Sequence, residues 1–271
     1  MEAILGAKVI DRGNRASLKF TPLGEDILAH GRKTIASLTD ITDRARRLQK
    51  PLSWPLKLGV IPTIAPYLLP TILQPLQKAF PTLKLNVHEL QSRQLVEKVS
   101  EGTLDFGLMA FPFDTKELQQ LPLIEEKFYG AAPKGLFSGK TEITLAEIEE
   151  QKLLLLSEGH CLSDHILEAC NMKHVSQLQD VSATSLSTLM QLVSHGYGVT
   201  LLPEMVVRES PLPKGMDILP IIPDAPSRKI GVVWRKNAAL EKDIMLVTLS
   251  IFRLMHGKGI FDDSCNITGE I

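Results

Sequence analysis

The chain has 271 residues, enough for one or two domains with a buried core. Hydrophobic residues make up 44% and charged residues 23%, which excludes disorder, and no apolar run is long enough to span a membrane. Three cysteines, no secretory pattern at the N-terminus and a net charge of −1 exclude a disulfide scaffold and a uniformly basic protein, and point to the reducing cytoplasm.

The average charge conceals a gradient. Residues 1–50 carry ten Lys/Arg against six Asp/Glu, a local charge of +4, whereas the remainder carries −5. A basic arm on an acidic body suggests different partners for the two parts, although a solvated helix of mixed charge gives the same count. The stretch from Val9 to Phe20 reads as two short strands around Gly13-Asn14, a hairpin with Arg12 and Arg15 at its tip. Thr21 then serves as N-cap, Pro22 as the first helical residue and Glu25 as its acidic first turn. The helix runs without a stop signal to about Gln49, with Ile27, Leu28, Ile35, Leu38, Ile41, Ala45 and Leu48 on one face. A long helix with one apolar face and no domain around it is a dimer arm. Pro51–Pro55 forms a hinge after it.

The body alternates strand and helix. Leu56–Ile61, Leu83–Glu89 and Phe106–Ala110 read as strands, with helices over Pro66–Phe80 and Gln91–Glu101 between them. A second cycle has strands near Lys127–Ala131, Leu153–Leu156 and Val199–Leu202, with a helix near Ser185–His195. Strand Ile230–Trp234 and a terminal helix Ala238–His256 return the chain to the first unit. This order predicts two α/β units on largely parallel sheets, with a ligand cleft between them.

Enzyme motifs are scarce. Lys134–Thr141 falls one glycine short of a phosphate-binding loop and reads as a surface turn, and there is no G-x-S-x-G elbow. The informative stretch is Leu153–Cys170, a strand that turns at Glu158-Gly159 and leads into a helix near Ser163, with Asp164 in its first turn. Cys161 then sits beside His160 just ahead of a helix N-terminus, and both features favour a thiolate. Cys170 is nine residues on, about 13 Å along an intact helix, whereas a disulfide requires Cα atoms within about 7 Å. The pair is therefore either a switch that needs local unwinding or two unconnected thiols, Cys170 a buried helix residue and Cys161 a loop thiol. A zinc reading from Cys161, His165 and Cys170 with His160 and His174 matches no compact ligand signature.

Leu5–Arg12 followed by Phe20–Glu25 resembles the end of the winged helix-turn-helix of LysR-type transcriptional regulators. The long helix and two-lobed body fit the same family, so the resemblance covers essentially the whole chain. Gly59–Pro70, His88–Leu95, Gly159–Leu162, Cys170, Ala183–Leu186 and Gly198–Pro203 are similar to its peroxide-sensing OxyR branch, and the cysteine spacing after Gly-His is the most specific feature. The resemblance implies an α/β fold. Residues 1–50 would be a partial winged-helix domain and linker helix, and residues 51–271 a regulatory domain of two α/β subdomains of the type II periplasmic-binding-protein kind. Subdomain I would cover about 56–126 plus 231–257, and subdomain II about 127–230.

The same resemblance makes Cys161 the peroxidatic cysteine and Cys170 the resolving one. It places Thr63, His160 and Arg228 at the peroxide site, with Ser92 where a Thr is typical and Asp164 as an orienting neighbour. It implies no enzyme activity, metal or other cofactor. Its partners are promoter DNA (through Arg12 and Arg15 on the backbone), hydrogen peroxide, a second copy in a dimer or tetramer, RNA polymerase, and a thiol reductant such as glutaredoxin or thioredoxin. A membrane is not among them. The match begins near the end of the recognition helix, so roughly 35–40 residues of the DNA reader are expected to be missing. Other readings are a LysR-type regulator that binds a metabolite and has inert cysteines, a thiol peroxidase, and a solute-binding protein.

Overall fold

The structure, a computed structural model, describes residues 1–11, 19–46, 51–157, 159–169 and 183–257. The first elements are α1 (Glu2–Leu5), β1 (Ile10–Asp11) and β2 (Lys19–Phe20), the two strands pairing antiparallel with Ile10 opposite Phe20. The tip of this hairpin, with Arg12 and Arg15, lies outside the described residues. Thr21 caps α2 (Pro22–Arg46) as expected, its Oγ1 accepting from the Gly24 amide at 3.1 Å. On the expected apolar face, Ile35, Leu38 and Ile41 remain 59–66% exposed. Leu48 lies outside the described residues.

The body opens with β3 (Pro55–Val60), α3 (Ala65–Ala79), β4 (Lys84–Glu89), α4 (Ser92–Ser100) and β5 (Phe106–Phe111), in the order the hydrophobic pattern requires. Then come β6 (Gln119–Pro133), α5 (Leu145–Glu149), α6 (Cys161–Ala169), α7 (Leu186–Ser194), β7 (Thr200–Pro203), α8 (Glu204–Glu209), β8 (Met216–Pro220), β9 (Ser227–Trp234) and α9 (Glu241–Gly257). The expected strand at Leu153–Leu156 makes only isolated parallel bridges, Leu153 with Val199 and Leu156 with Ala183.

The expectation of a largely parallel sheet requires correction. Among the described strands only β3–β4 and β3–β5 pair parallel; β9 lies antiparallel between β5 and β6, and β6 is antiparallel to β7 and β8. The reason is the 15-residue β6, whose first part pairs with β9 and whose last part pairs with β7 and β8. Two long strands thus carry the chain back and forth between lobes, and antiparallel pairing needs no crossover helix.

The apolar residues divide into two clusters along these strands. The first is built from α3, β3, β5 and α9 and includes Leu58, Ile72, Phe106 and Ile244; the second includes Phe128, Leu154, Leu189 and Leu201. Helix α6 lies on the seam, for Cys161 joins the first cluster while its neighbours Leu162 and Ile166 join the second. Among the described residues no helix is long and apolar enough to cross a membrane.

Candidate functional site

The site forms where the two long strands pass between lobes. Glu126 on β6 and Arg228 on β9 stand directly opposite each other in the antiparallel ladder, and both are fully buried. Arg228 Nε donates to Glu126 Oε2 at 2.7 Å. Its Nη1 donates to Thr63 Oγ1 at 3.0 Å and its Nη2 to the Thr63 carbonyl at 3.4 Å. Phe128 lies under the guanidinium, 5.9 Å from ring centroid to Cζ. Glu126 Oε1 accepts the Met205 amide at 2.7 Å, which ties α8 to the pair. A buried charge is tolerated only when it is paired and hydrogen-bonded, and Glu126 and Thr63 supply a counter-charge and three bonds to Arg228.

Cys161 is buried against this frame, 2% exposed. Burial pushes its thiol up from the ordinary value; the Ser92 hydroxyl and the Arg228 charge pull it down, and the Asp164 carboxylate pushes it up again. The resting sulfur is therefore held toward the thiol, against the sequence expectation of a favoured thiolate. Ser92 Oγ is buried and, apart from the Cys161 sulfur it faces, finds no hydrogen-bond partner among the described residues. Asp164 is exposed and works against the thiolate.

Helix α6 begins at Cys161, two residues earlier than the sequence suggests. Ser163 is not its cap. The Ser163 hydroxyl donates to the Leu156 carbonyl at 2.9 Å and its amide to His160 O at 3.1 Å. Gly159 has φ +94, a left-handed backbone that calls for glycine; a Cβ there would lie 2.5 Å from Gln91 Oε1, the mobile end of a side chain that can swing aside. The same Gln91 approaches His160, Nε2 to Nε2, at 3.3 Å. Burial lowers the His160 pKa, so its ring is neutral at neutral pH and adds no full positive charge beside the sulfur.

The fold thus draws Thr63 from the β3–α3 turn, Ser92 from α4, Cys161 from α6 and Arg228 from β9 together and puts His160 at the rim. Cys170 lies outside the described residues. Glu126 and Gln91 went unnoticed in the sequence. An expected start of β6 at Lys127 leaves Glu126 in a loop, so its register opposite Arg228 was hidden. Beside the site a cleft of about 720 Å³ opens, with Tyr67, Glu89, Gln91, His160, Thr184 and Ser185 on its walls.

Comparison with known proteins follows the same outline. The LysR substrate binding domain family matches residues 49–245. The HTH-type transcriptional regulator EstR of Acinetobacter baylyi is 35% identical over 248 residues, 91% of this chain and 82% of that protein. A probable hydrogen peroxide-inducible genes activator of Streptomyces viridosporus is 37% identical over 243 residues, 88% of this chain and 77% of its own length. Among solved structures, a full-length OxyR variant from Pseudomonas aeruginosa superposes with a TM-score of 0.75 at 31% identity, covering 93% of this chain and 82% of that one. Sequence, fold and the crossing-strand architecture agree: the chain belongs to the LysR family of transcription regulators and is one of its OxyR-like members.

Proposed function

We propose that this regulator senses hydrogen peroxide through a reversible disulfide between Cys161 and Cys170. The observation that carries the reading is a buried thiol set beside a guanidinium that is itself fixed by Glu126 and Thr63. Once ionised, the Cys161 sulfur attacks one peroxide oxygen; the O–O bond breaks, a sulfenic acid forms, and the second oxygen leaves as hydroxide that is protonated to water. Arg228 and the hydroxyls of Thr63 and Ser92 face the negative charge that builds on that oxygen. The Cys170 thiolate then attacks the sulfenic sulfur, the S–S bond forms and water departs, so two thiols supply both electrons. A dithiol reductant of the glutaredoxin or thioredoxin class restores them.

Residues 1–50 serve as the DNA-contacting and dimerising arm, and residues 51–271 as the sensing domain, with about 56–126 plus 231–257 and about 127–230 as its two lobes. The exposed Leu38 and Ile41 on α2 support an arm that pairs with a second copy, and dimers or tetramers presenting their arms to promoter DNA and RNA polymerase follow from that reading. A stoichiometric peroxide pulse followed by mass spectrometry of the intact chain tests the switch. A Cys161–Cys170 disulfide is expected, and its absence overturns the proposal.

The 720 Å³ cleft favours a second reading, a small polar metabolite as effector with the cysteines inert. Calorimetry on Cys161→Ser protein distinguishes the two, because only a metabolite sensor retains its response without the sulfur.

A further inference from the structure

One buried group beside the site has no part in the chemistry above. His165 lies one turn after Cys161 on α6 and is 6% exposed. Its Nε2 donates to the Pro112 carbonyl at 2.8 Å, immediately after β5 in the middle of the first lobe's sheet. Its Nδ1 is buried without a hydrogen-bond partner among the described residues. Leu162 and Ile166, and the Ser163 hydroxyl on Leu156, hold α6 to the second lobe; His165 reaches across to the first.

The geometry of the proposed switch gives this bond a role. An intact α6 keeps residues 161 and 169 about 12 Å apart, far beyond the Cα separation of a disulfide. The helix must open before Cys170 reaches Cys161, and His165 sits at the middle of that helix. We propose that His165 is the positioning residue for this condensation: its bond to Pro112 clasps α6 between the lobes, and release of that bond governs how readily the sulfenic acid is resolved. This inference rests on the peroxide-sensing reading. It makes His165 neither a peroxide-site residue nor a proton donor to the sulfur.

The unpartnered Nδ1 gives the clasp a direction with pH. Burial lowers the His165 pKa; the Pro112 bond raises it, Arg228 on β9 lowers it, and Asp164 and Glu168 on α6 itself raise it. A proton on the closed-state ring would add a donor with no acceptor. In an open helix the ring regains an ordinary pKa near 6.5 and takes up that proton freely. The closed form is therefore fully favoured above about pH 6.5 and loses ground as pH falls below it.

The test compares wild-type, His165→Leu and His165→Gln full-length protein. His165→Leu keeps the bulk and removes the bond; His165→Gln keeps an N–H for Pro112 but does not titrate. In quench-flow, His165→Leu should resolve the sulfenic acid about tenfold faster, the weight of one hydrogen bond, while sulfenic acid formation stays within about twofold. Hydrogen-exchange protection of residues 161–169 should fall to match. His165→Gln should restore both at pH 7. Below pH 6.5 the ratio of wild-type to His165→Gln resolution rates, from which cysteine ionisation cancels, should climb. Unchanged protection and resolution in His165→Leu, or a His165→Gln protein that behaves like it, overturns the clasp. If wild-type protein forms no Cys161–Cys170 disulfide, the sensing reading falls, and the protection factors and their pH dependence still decide whether His165 holds α6.

Discussion

The thiol of Cys161 is held by opposed influences: loss of water, the largest, and Asp164 favour the protonated form, Ser92 and Arg228 the ionised one. Because the balance lies toward the thiol, sulfenic acid formation should accelerate with pH through the neutral and mildly alkaline range, roughly tenfold per unit until the thiol is ionised. Stopped-flow rates with excess peroxide measure this; a flat profile would show a sulfur already ionised at neutrality. Arg228→Lys replaces a three-bond fork with a point charge that cannot serve Glu126 and both Thr63 oxygens at once. Formation of the sulfenic acid should slow about a hundredfold in that variant. Glu126→Gln has the opposite chemical sign. It leaves the guanidinium charge uncompensated, so the thiolate fraction rises in a pH titration of thiol absorbance, while stability drops by about 3–5 kcal/mol in denaturant unfolding.

At the scale of elements, α6 is where pattern and structure part company. Ser163 followed by Asp164 has the composition of an N-cap, yet the hydroxyl is spent on Leu156 and the helix starts two residues earlier. Ser163→Ala removes that anchor and leaves a buried carbonyl unpaired, at a cost of about 1–3 kcal/mol, with lowered exchange protection across α6. Gly159→Ala puts a side chain on a left-handed backbone, and a destabilisation of about 1–3 kcal/mol in thermal unfolding is expected. The first lobe was legible because its alternation and helical spacing are strong: β3, α3, β4, α4 and β5 fall within a residue or two of the pattern. β6 was legible only in part, since Pro122 and the charged run Glu125-Glu126-Lys127 imitate a loop until pairing with β9 supplies a reason for a strand. The site was visible as residue types around Gly159-His160-Cys161 and by resemblance, but Glu126 and Gln91 act through register and through space, which no spacing rule exposes.

For the whole molecule, the two ends differ in what surrounds them. The body encloses its apolar residues in two clusters, whereas α2 leaves Leu38 and Ile41 more than half exposed. Replacing both with Asp should shift the protein toward monomer in light scattering after size exclusion and leave the denaturation of the body unchanged. Thr63, Cys161 and Arg228 come together only when β9 is in place, because Arg228 belongs to β9, the final strand among the described residues. This sets an order in time. A ribosome lays down Gly159, His160 and Cys161 well before the cation that tunes the sulfur, so a nascent chain carries the complete motif and only an ordinary cysteine. Its special character arrives late, with closure of the second crossing, which makes readiness to sense a property of finished molecules alone.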